Sequence, residues 1–395
     1  MKITEVDAFY LAMPDIAATA DGTQDTFLVR LRTDTGLEGW GESDASPLVS
    51  LACYCCPPSH ANIVNLRSAL LGAPLDSVED LRGVRARALR GALDIQHVHH
   101  AFSAADIALW DLLGKRLDAP VWALLDGDGA QAFPKRPYAS VLFGDTPQET
   151  EARAAQQRAA GFGAAKFGWG PIGRDGRAAD VALVAAARAG LGGDALLLVD
   201  AGWAWGEDAA TAAQRAADFA EHGVGWLEEP LLPEAIEAYR ELSSRMPAVS
   251  IAAGESSGRF RDAQDFIVNG GVDTIQIDAG RIGGITPAHA VRRLAERTAT
   301  PYVNHTFKSH LSLAAALHVF AALERCELLE YVVGGAPLAQ ELVRDPLARR
   351  ADGSVIAPDR PGLGVTVDVE TVRRYLRPVR ISVGGRELEV GDQQP

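Results

Sequence analysis

From about residue 136 the chain alternates short apolar runs with Ala-rich stretches of helical spacing. The runs are Tyr138–Phe143, Gly163–Phe167, Ala195–Val199, Gly225–Glu228, Ser250–Ala253, Thr274–Asp278, Tyr302–His305 and Leu328–Tyr331, each of the length of a buried strand. Between them lie predicted helices such as Pro147–Ala160, Ala178–Ala189, Ala209–Glu221 and Pro287–Thr298. Strand and helix recurring at intervals of roughly 25–30 residues predict parallel βαβ units. Eight such strands predict a TIM-type barrel, with a doubly wound sheet as the alternative.

The first part of the chain has another pattern. Thr26–Arg32 alternates, Asp34-Thr35-Gly36 supplies a turn and Leu37–Glu42 returns, which predicts antiparallel strands. Residues 15–25 and 46–60 are rich in small residues and turn formers and are predicted to be two loops. Helical spacing covers 60–125, with Ile63, Leu66, Leu70 and Leu71 on one face and Ile107, Leu109, Trp110, Leu112 and Leu113 later. After residue 360 the sequence is again Gly-rich and strand-like (Arg380-Ile381-Ser382-Val383) and is predicted to pack back on the N-terminal part. The expected organisation is an N-terminal region over 1–130, a barrel over 131–360 and a tail over 361–395 that completes a split cap.

A chain of 395 residues can build a barrel and a smaller domain. A net charge of −14 argues against a nucleic-acid surface. An anionic substrate stays open, because a bound cation inverts the local field. Charges interrupt the N-terminal residues, unlike a signal peptide, and no run approaches the roughly 20 apolar residues of a membrane span. A cytoplasmic protein with no nucleic-acid or membrane partner is expected. Of the cysteines, Cys53, Cys55 and Cys56 crowd together around Tyr54, and Cys326 stands apart. This is no disulfide framework. The first three with His60 could be read as zinc ligands, but they lack the paired Cys-x₂-Cys spacing, and reduced thiols in a loop are the preferred reading. His97, His99 and His100 are read as surface or cap packing.

The polar residues that end the predicted strands carry the chemistry. They are Lys166, Asp200, Glu228, Glu255, Asp278, His305 and Glu330, on strands two to eight. All strand ends of a barrel open on one face, so seven ionisable groups would converge there. One strand-end carboxylate is ordinarily a helix cap or an ion pair. Clustering them all without a cation would be very costly. Asp200, Glu228 and Glu255 are spaced by 28 and 27 residues, one βα unit each. Three hard oxygen donors without His or Cys suit Mg²⁺ better than zinc. Asp278 and His305 are 27 residues apart on neighbouring strands. A carboxylate holding an imidazole fixes its tautomer and raises its basicity, which makes His305 a general base and then a general acid. Lys166 is open to two readings: a base of depressed pKa, or a cation that binds a substrate carboxylate.

Ser103-Ala104-Ala105-Asp106-Ile107-Ala108-Leu109-Trp110-Asp111, followed by Pro120-Val121, resembles the signature helix of the mandelate racemase/muconate lactonizing group of the enolase superfamily. Val199-Asp200-Ala201-Gly202, Leu227-Glu228-Glu229-Pro230 and Gly254-Glu255-Ser256 look like its three metal-ligand strands. Asp278-Ala279-Gly280-Arg281-Ile282-Gly283-Gly284 and Asn304-His305 look like its Asp-His dyad, and Leu329-Glu330-Tyr331 like its eighth strand. The resemblance covers nearly the whole chain. It implies a (β/α)₇β barrel capped by an α+β domain made of residues 1–125 and the tail, whose two loops close over the substrate. It also implies one Mg²⁺ per subunit, a small-molecule carboxylate substrate and a homo-oligomer, dimer or octamer.

Two residues depart from the family pattern. Where relatives have Lys-x-Lys on the second strand, this chain has Lys166-Phe167-Gly168 followed by Trp169, and Gly202 replaces an Asn. Racemisation normally needs a base on each face of the planar intermediate, and the second Lys is missing. A β-elimination needs one acid/base group. The expected reaction is therefore dehydration of a sugar acid to a 2-keto-3-deoxy acid, with His305 as base and acid. The alternatives are an anhydro-sugar-acid cycloisomerase, a racemase or epimerase using Lys166 as second base, and a non-catalytic binding protein. Glu330 is expected on the side of His305, bonding the substrate carboxylate or a developing acid, Arg281 as electrostatic support for Asp278, and Trp169 either as a pocket wall or as packing.

Overall fold

The computed structural model describes residues 1–44, 46–57, 63–92, 97–127 and 129–390. Strands β1 (Ile3–Ala12), β2 (Asp25–Thr33) and β3 (Glu38–Ser43) form an antiparallel sheet in that order. The predicted turn joins β2 to β3, with Gly36 at φ 80°. The segment 46–60 differs from the loop expected of it, because Pro47–Cys55 is a helix. Its small residues resemble a loop, but Pro47 at the first turn is pre-set for a helix, and Leu51 and Tyr54 bury one face. The Tyr54 hydroxyl donates to Ala101 O at 3.0 Å. The segment 15–25 contains a short 3₁₀ turn, Gly22–Gln24, capped by Asp21. His60, the fourth residue of the zinc reading, lies outside the described residues.

The eight predicted strands form as β4 (Arg136–Leu142), β5 (Ala164–Gly168), β6 (Leu196–Asp200), β7 (Val224–Glu228), β8 (Ser250–Ala253), β9 (Thr274–Ile277), β10 (Tyr302–Asn304) and β11 (Leu328–Val332). They pair in parallel in the order β10-β9-β8-β7-β6-β5-β4-β11 and curl into a barrel. The Asn304 side chain helps to close the seam. Its Oδ1 accepts from Glu330 N at 2.9 Å and its Nδ2 donates to Glu330 O at 3.3 Å, joining β10 to β11.

Side chains alternate along a strand, so every second residue points inward. Tyr138, Ala164, Leu198, Trp226, Ala252 and Val303 form one apolar layer inside the barrel. Two residues further on, the same faces present Ser140, Lys166, Asp200, Glu228 and His305, and Glu330 stands at the corresponding level of β11. The polar mouth is thus the next layer above an apolar plug.

The tail returns to the N-terminal sheet. Leu376 bridges Leu11, and Arg377 N donates to Tyr10 O at 2.9 Å, after which β12 (Val379–Val383) and β13 (Arg386–Val390) form a hairpin. The helix Val98–Leu117, buried over most of its length, ties the parts together. Asp106 Oδ2 accepts from Thr286 N at 2.8 Å, at the N-terminus of the Ile285–Thr298 helix, and Oδ1 accepts from Arg85 at 3.1 Å. Trp110 Nε1 donates to Thr286 Oγ1, and Asp111 accepts from Trp40 N and Leu363 N. Among the described residues no helix is long and apolar enough to cross a membrane.

Asp106 caps a barrel helix and neutralises a partly buried arginine, so Asp106→Ala is expected to destabilise the protein by about 1–3 kcal/mol, the cost of leaving buried partners unsatisfied. Chemical denaturation checks this, and an unchanged midpoint would show that the Asp106 contacts do not hold cap and barrel together.

Candidate active site

The register of β6 and β7 sets Asp200 beside Glu228, and the turn after β8 adds Glu255. Carboxylate oxygens of these three lie within 4.8 Å of one another, all buried. Burial raises Asp200 to about 7, against the pull of Lys166, and holds Glu228 well above the ordinary range. Glu255 goes the other way. Burial pushes it up, but His305 and Arg281 outweigh that and bring it to about 2.

Lys166 Nζ lies 2.5 Å from Glu228 Oε1, 2.8 Å from Glu330 Oε1 and 3.9 Å from Asp200 Oδ2. Burial alone would lower its pKa. Glu228 and Glu330 more than offset this and hold Lys166 well above its ordinary value, so in this arrangement it is an ammonium. Glu330 is fully buried and aimed by Ser140 Oγ and Thr306 N, both at 2.7 Å. Its carboxylate anchors Lys166.

His305 Nδ1 is 2.7 Å from Asp278 Oδ2, and Asp278 Oδ1 accepts from Gly280 N at 2.6 Å. This leaves Nε2 facing the site, 3.2 Å from Glu255 Oε2. Burial lowers the His305 pKa, but the carboxylates of Glu255 and Glu330, with the Asp278 bond, lift it to about 10. To serve as a base, His305 would first have to lose this proton, which requires that the negative charge around it be neutralised. Glu255 Oε2 is buried and makes no hydrogen bond. A buried carboxylate oxygen that meets the His305 ring without a hydrogen bond and faces two further carboxylates fits a hard divalent cation.

Lys166, Asp200, Glu255, His305 and Glu330 line a cavity of about 180 Å³ at the barrel mouth, with Glu228 and Asp278 behind them. The two glycine departures shape it. A Cβ at Gly168 would stand 2.8 Å from Asp200 Oδ2, so no side chain, and hence no second base, fits there unless Asp200 moves. Gly202 has φ 53°, and a Cβ on it would fall 2.9 Å from the Trp169 ring. Trp169 takes this space, meets Trp203 edge-on at 5.5 Å and walls the cavity.

Arg281 supports Asp278 as expected, by its charge and through its backbone N–H to Asp278 O at 3.1 Å, while its guanidinium bonds Asp44 and Glu255 Oε1 (3.0 Å). Asp44, Ser140 and Lys308 are site residues that the sequence reading missed. Their signal was faint: Asp44 only continues the polar end, Glu42-Ser43, of a short strand that is Gly-rich and polar elsewhere too. His97 and His100 stack at 4.8 Å, and His97 meets Ser50 at 3.1 Å, within the cap.

Residues 149–372 match the family Enolase C-terminal domain-like. Residues 3–126 match the family Mandelate racemase / muconate lactonizing enzyme, N-terminal domain. The chain is 30% identical over 368 residues to D-galactarolactone cycloisomerase of Agrobacterium fabrum, covering 89% of this chain and 91% of that protein. It is 28% identical over 361 residues to D-galactonate dehydratase of Xanthomonas axonopodis pv. citri, covering 88% and 90%. A crystal structure of a predicted mandelate racemase from Rhodobacter sphaeroides superposes with a TM-score of 0.93 at 45% identity, over 99% of this chain and 100% of that one. A racemase from Streptomyces coelicolor A3(2) with bound magnesium superposes with a TM-score of 0.78 at 27% identity, over 95% and 100%. Barrel, cap and sequence agree: the chain belongs to the mandelate racemase/muconate lactonizing enzyme group of the enolase superfamily.

Proposed function

We propose that the protein removes the proton α to the carboxylate of a sugar acid and eliminates the oxygen at C3, giving a 2-keto-3-deoxy acid. His305 Nε2 is the base, and Asp278 holds its Nδ1 side. Asp200, Glu228 and Glu255 are the ligands of one Mg²⁺ per subunit. The observation that carries this reading is the single-base geometry: the His305 imidazole faces the cavity, and position 168, where relatives carry a second lysine, is a glycine packed against Asp200. Lys166 is a poor second base, because Glu228 and Glu330 hold its proton. Its ammonium is suited to a substrate carboxylate instead.

The α-proton passes to His305 Nε2. The same nitrogen returns it to the departing C3 oxygen, and the resulting enol becomes the ketone. Bound among the three carboxylates, Mg²⁺ supplies positive charge that offsets the field holding the His305 proton and the charge that develops on the substrate carboxylate. Loss of a hydroxyl makes the reaction a dehydration. Loss of a bridging ring oxygen makes it a cycloisomerisation, a second reading that the apolar lining residues Val141, Leu142, Trp169 and Phe307 favour, because a cyclic sugar would offer them a C–H face.

A screen of C4 to C6 sugar acids with Mg²⁺, read by semicarbazide absorbance, is expected to find a 2-keto product that EDTA abolishes. No product from any open-chain or anhydro acid would contradict the proposal. Lys166→Met is expected to raise KM for the substrate found while kcat changes less, as for a group that binds ground and transition states alike. An equal fall in kcat and kcat/KM would instead place Lys166 in the chemical step.

A further inference from the structure

We infer that Asp44 and Arg281 form a charge clamp, supplied half by the cap and half by the barrel, that sets how tightly the carboxylate triad holds its cation. The inference rests on the proposed ligand set of Asp200, Glu228 and Glu255. Arg281 stands at the mouth after β9 and bridges two anions. One edge of its guanidinium bonds Asp44 Oδ2, and the other lies 3.0 Å from Glu255 Oε1. A guanidinium on a metal-ligand carboxylate competes with the metal for its charge and repels the metal directly. Asp44 opposes both effects by drawing the arginine charge onto itself.

Asp44 is not a barrel residue. It follows β3, and the cap seats it through Asp44 N to Gly280 O at 3.1 Å and Ser43 Oγ to the same carbonyl at 3.0 Å. Burial would favour its neutral form, but Arg281 and Lys308 outweigh burial and keep it anionic. Lys308 Nζ lies 3.5 Å from Asp44 Oδ1 and also donates to Gly22 O and to Asp25 O, the latter at 2.7 Å. Both cap segments that border the cavity therefore join one chain of charges that ends on Glu255. When the cap is seated, Arg281 is shared and Glu255 is available to the cation. When it is not, Arg281 loses Asp44 and turns its charge on Glu255 and, at longer range, Asp278.

Isothermal calorimetry of Mg²⁺ binding to the full-length protein, without substrate, tests the clamp by sign. Asp44→Asn is expected to weaken Mg²⁺ binding, and Arg281→Gln to tighten it, each by roughly 5-fold or more, the lower end of coupling between sites. The double variant should return toward wild type, and Arg281→Lys should stay near it. Structural damage alone would weaken binding in both single variants, and melting temperatures in EDTA separate that effect. If both single variants weaken binding, or neither changes it, the clamp is wrong. If wild type binds no Mg²⁺, or Glu255→Gln binds it unchanged, the ligand set falls and the clamp with it.

Discussion

Three buried carboxylates with oxygens within 4.8 Å cannot all be ionised unless positive charge stands beside them. The rest of the site follows from that constraint. Lys166 lies against Glu228 and Glu330, while His305 and Arg281 lie against Glu255. Each cation is itself steered by a further anion or dipole: Asp278 for His305, Asp44 for Arg281, and the Glu330 carboxylate set by Ser140 and Thr306 for Lys166. Such a network is stable only when geometrically complete, because removing one partner leaves a buried charge uncompensated. It is also poised for a divalent cation, whose arrival changes the field on every member.

The barrel supplies this geometry through a strict alternation of side chains, and the cap completes it. The end of β3 reaches over the loops that follow β9 and β10. Glu42 accepts from Ser312 N and Oγ at the start of the His310–Phe320 helix, Ser43 and Asp44 hold Gly280, and Asp106 caps the next helix along. Those two loops carry Asp278 and His305. The loops that carry the Asp278–His305 pair are therefore held by contacts from residues more than two hundred positions earlier in the chain.

The strand-end residues were legible in the sequence because two periods coincide: an ionisable residue stands at the end of seven of the eight short apolar runs, and the runs recur once per βα unit. Lys166, Asp200, Glu228, Glu255, Asp278, His305 and Glu330 all reach one mouth for that reason. Asp44 was not legible. Nothing local distinguishes a carboxylate that approaches the barrel from one that faces water, and the approach is decided by tertiary packing of the cap. The same limit hid the partners of Arg281 and the seam made by Asn304. The helix Pro47–Cys55 was missed because nine residues are too few for a helix to be stable alone, and its burial comes from contact with another helix. Gly168 and Gly202 read in sequence as two losses. In the structure they make room for Asp200 and Trp169.

The account turns on His305 as the single group that takes the α-proton. The most direct measurement is solvent exchange at that carbon, followed by proton NMR in D₂O with Mg²⁺ and sugar acids, comparing wild type with His305→Asn. The account predicts deuterium entering the substrate or its 2-keto product with wild type, and a loss of roughly 10²-fold or more in the variant, the scale of general acid–base catalysis. Deuterium incorporation by His305→Asn at the wild-type rate would contradict it and move the base elsewhere in the mouth.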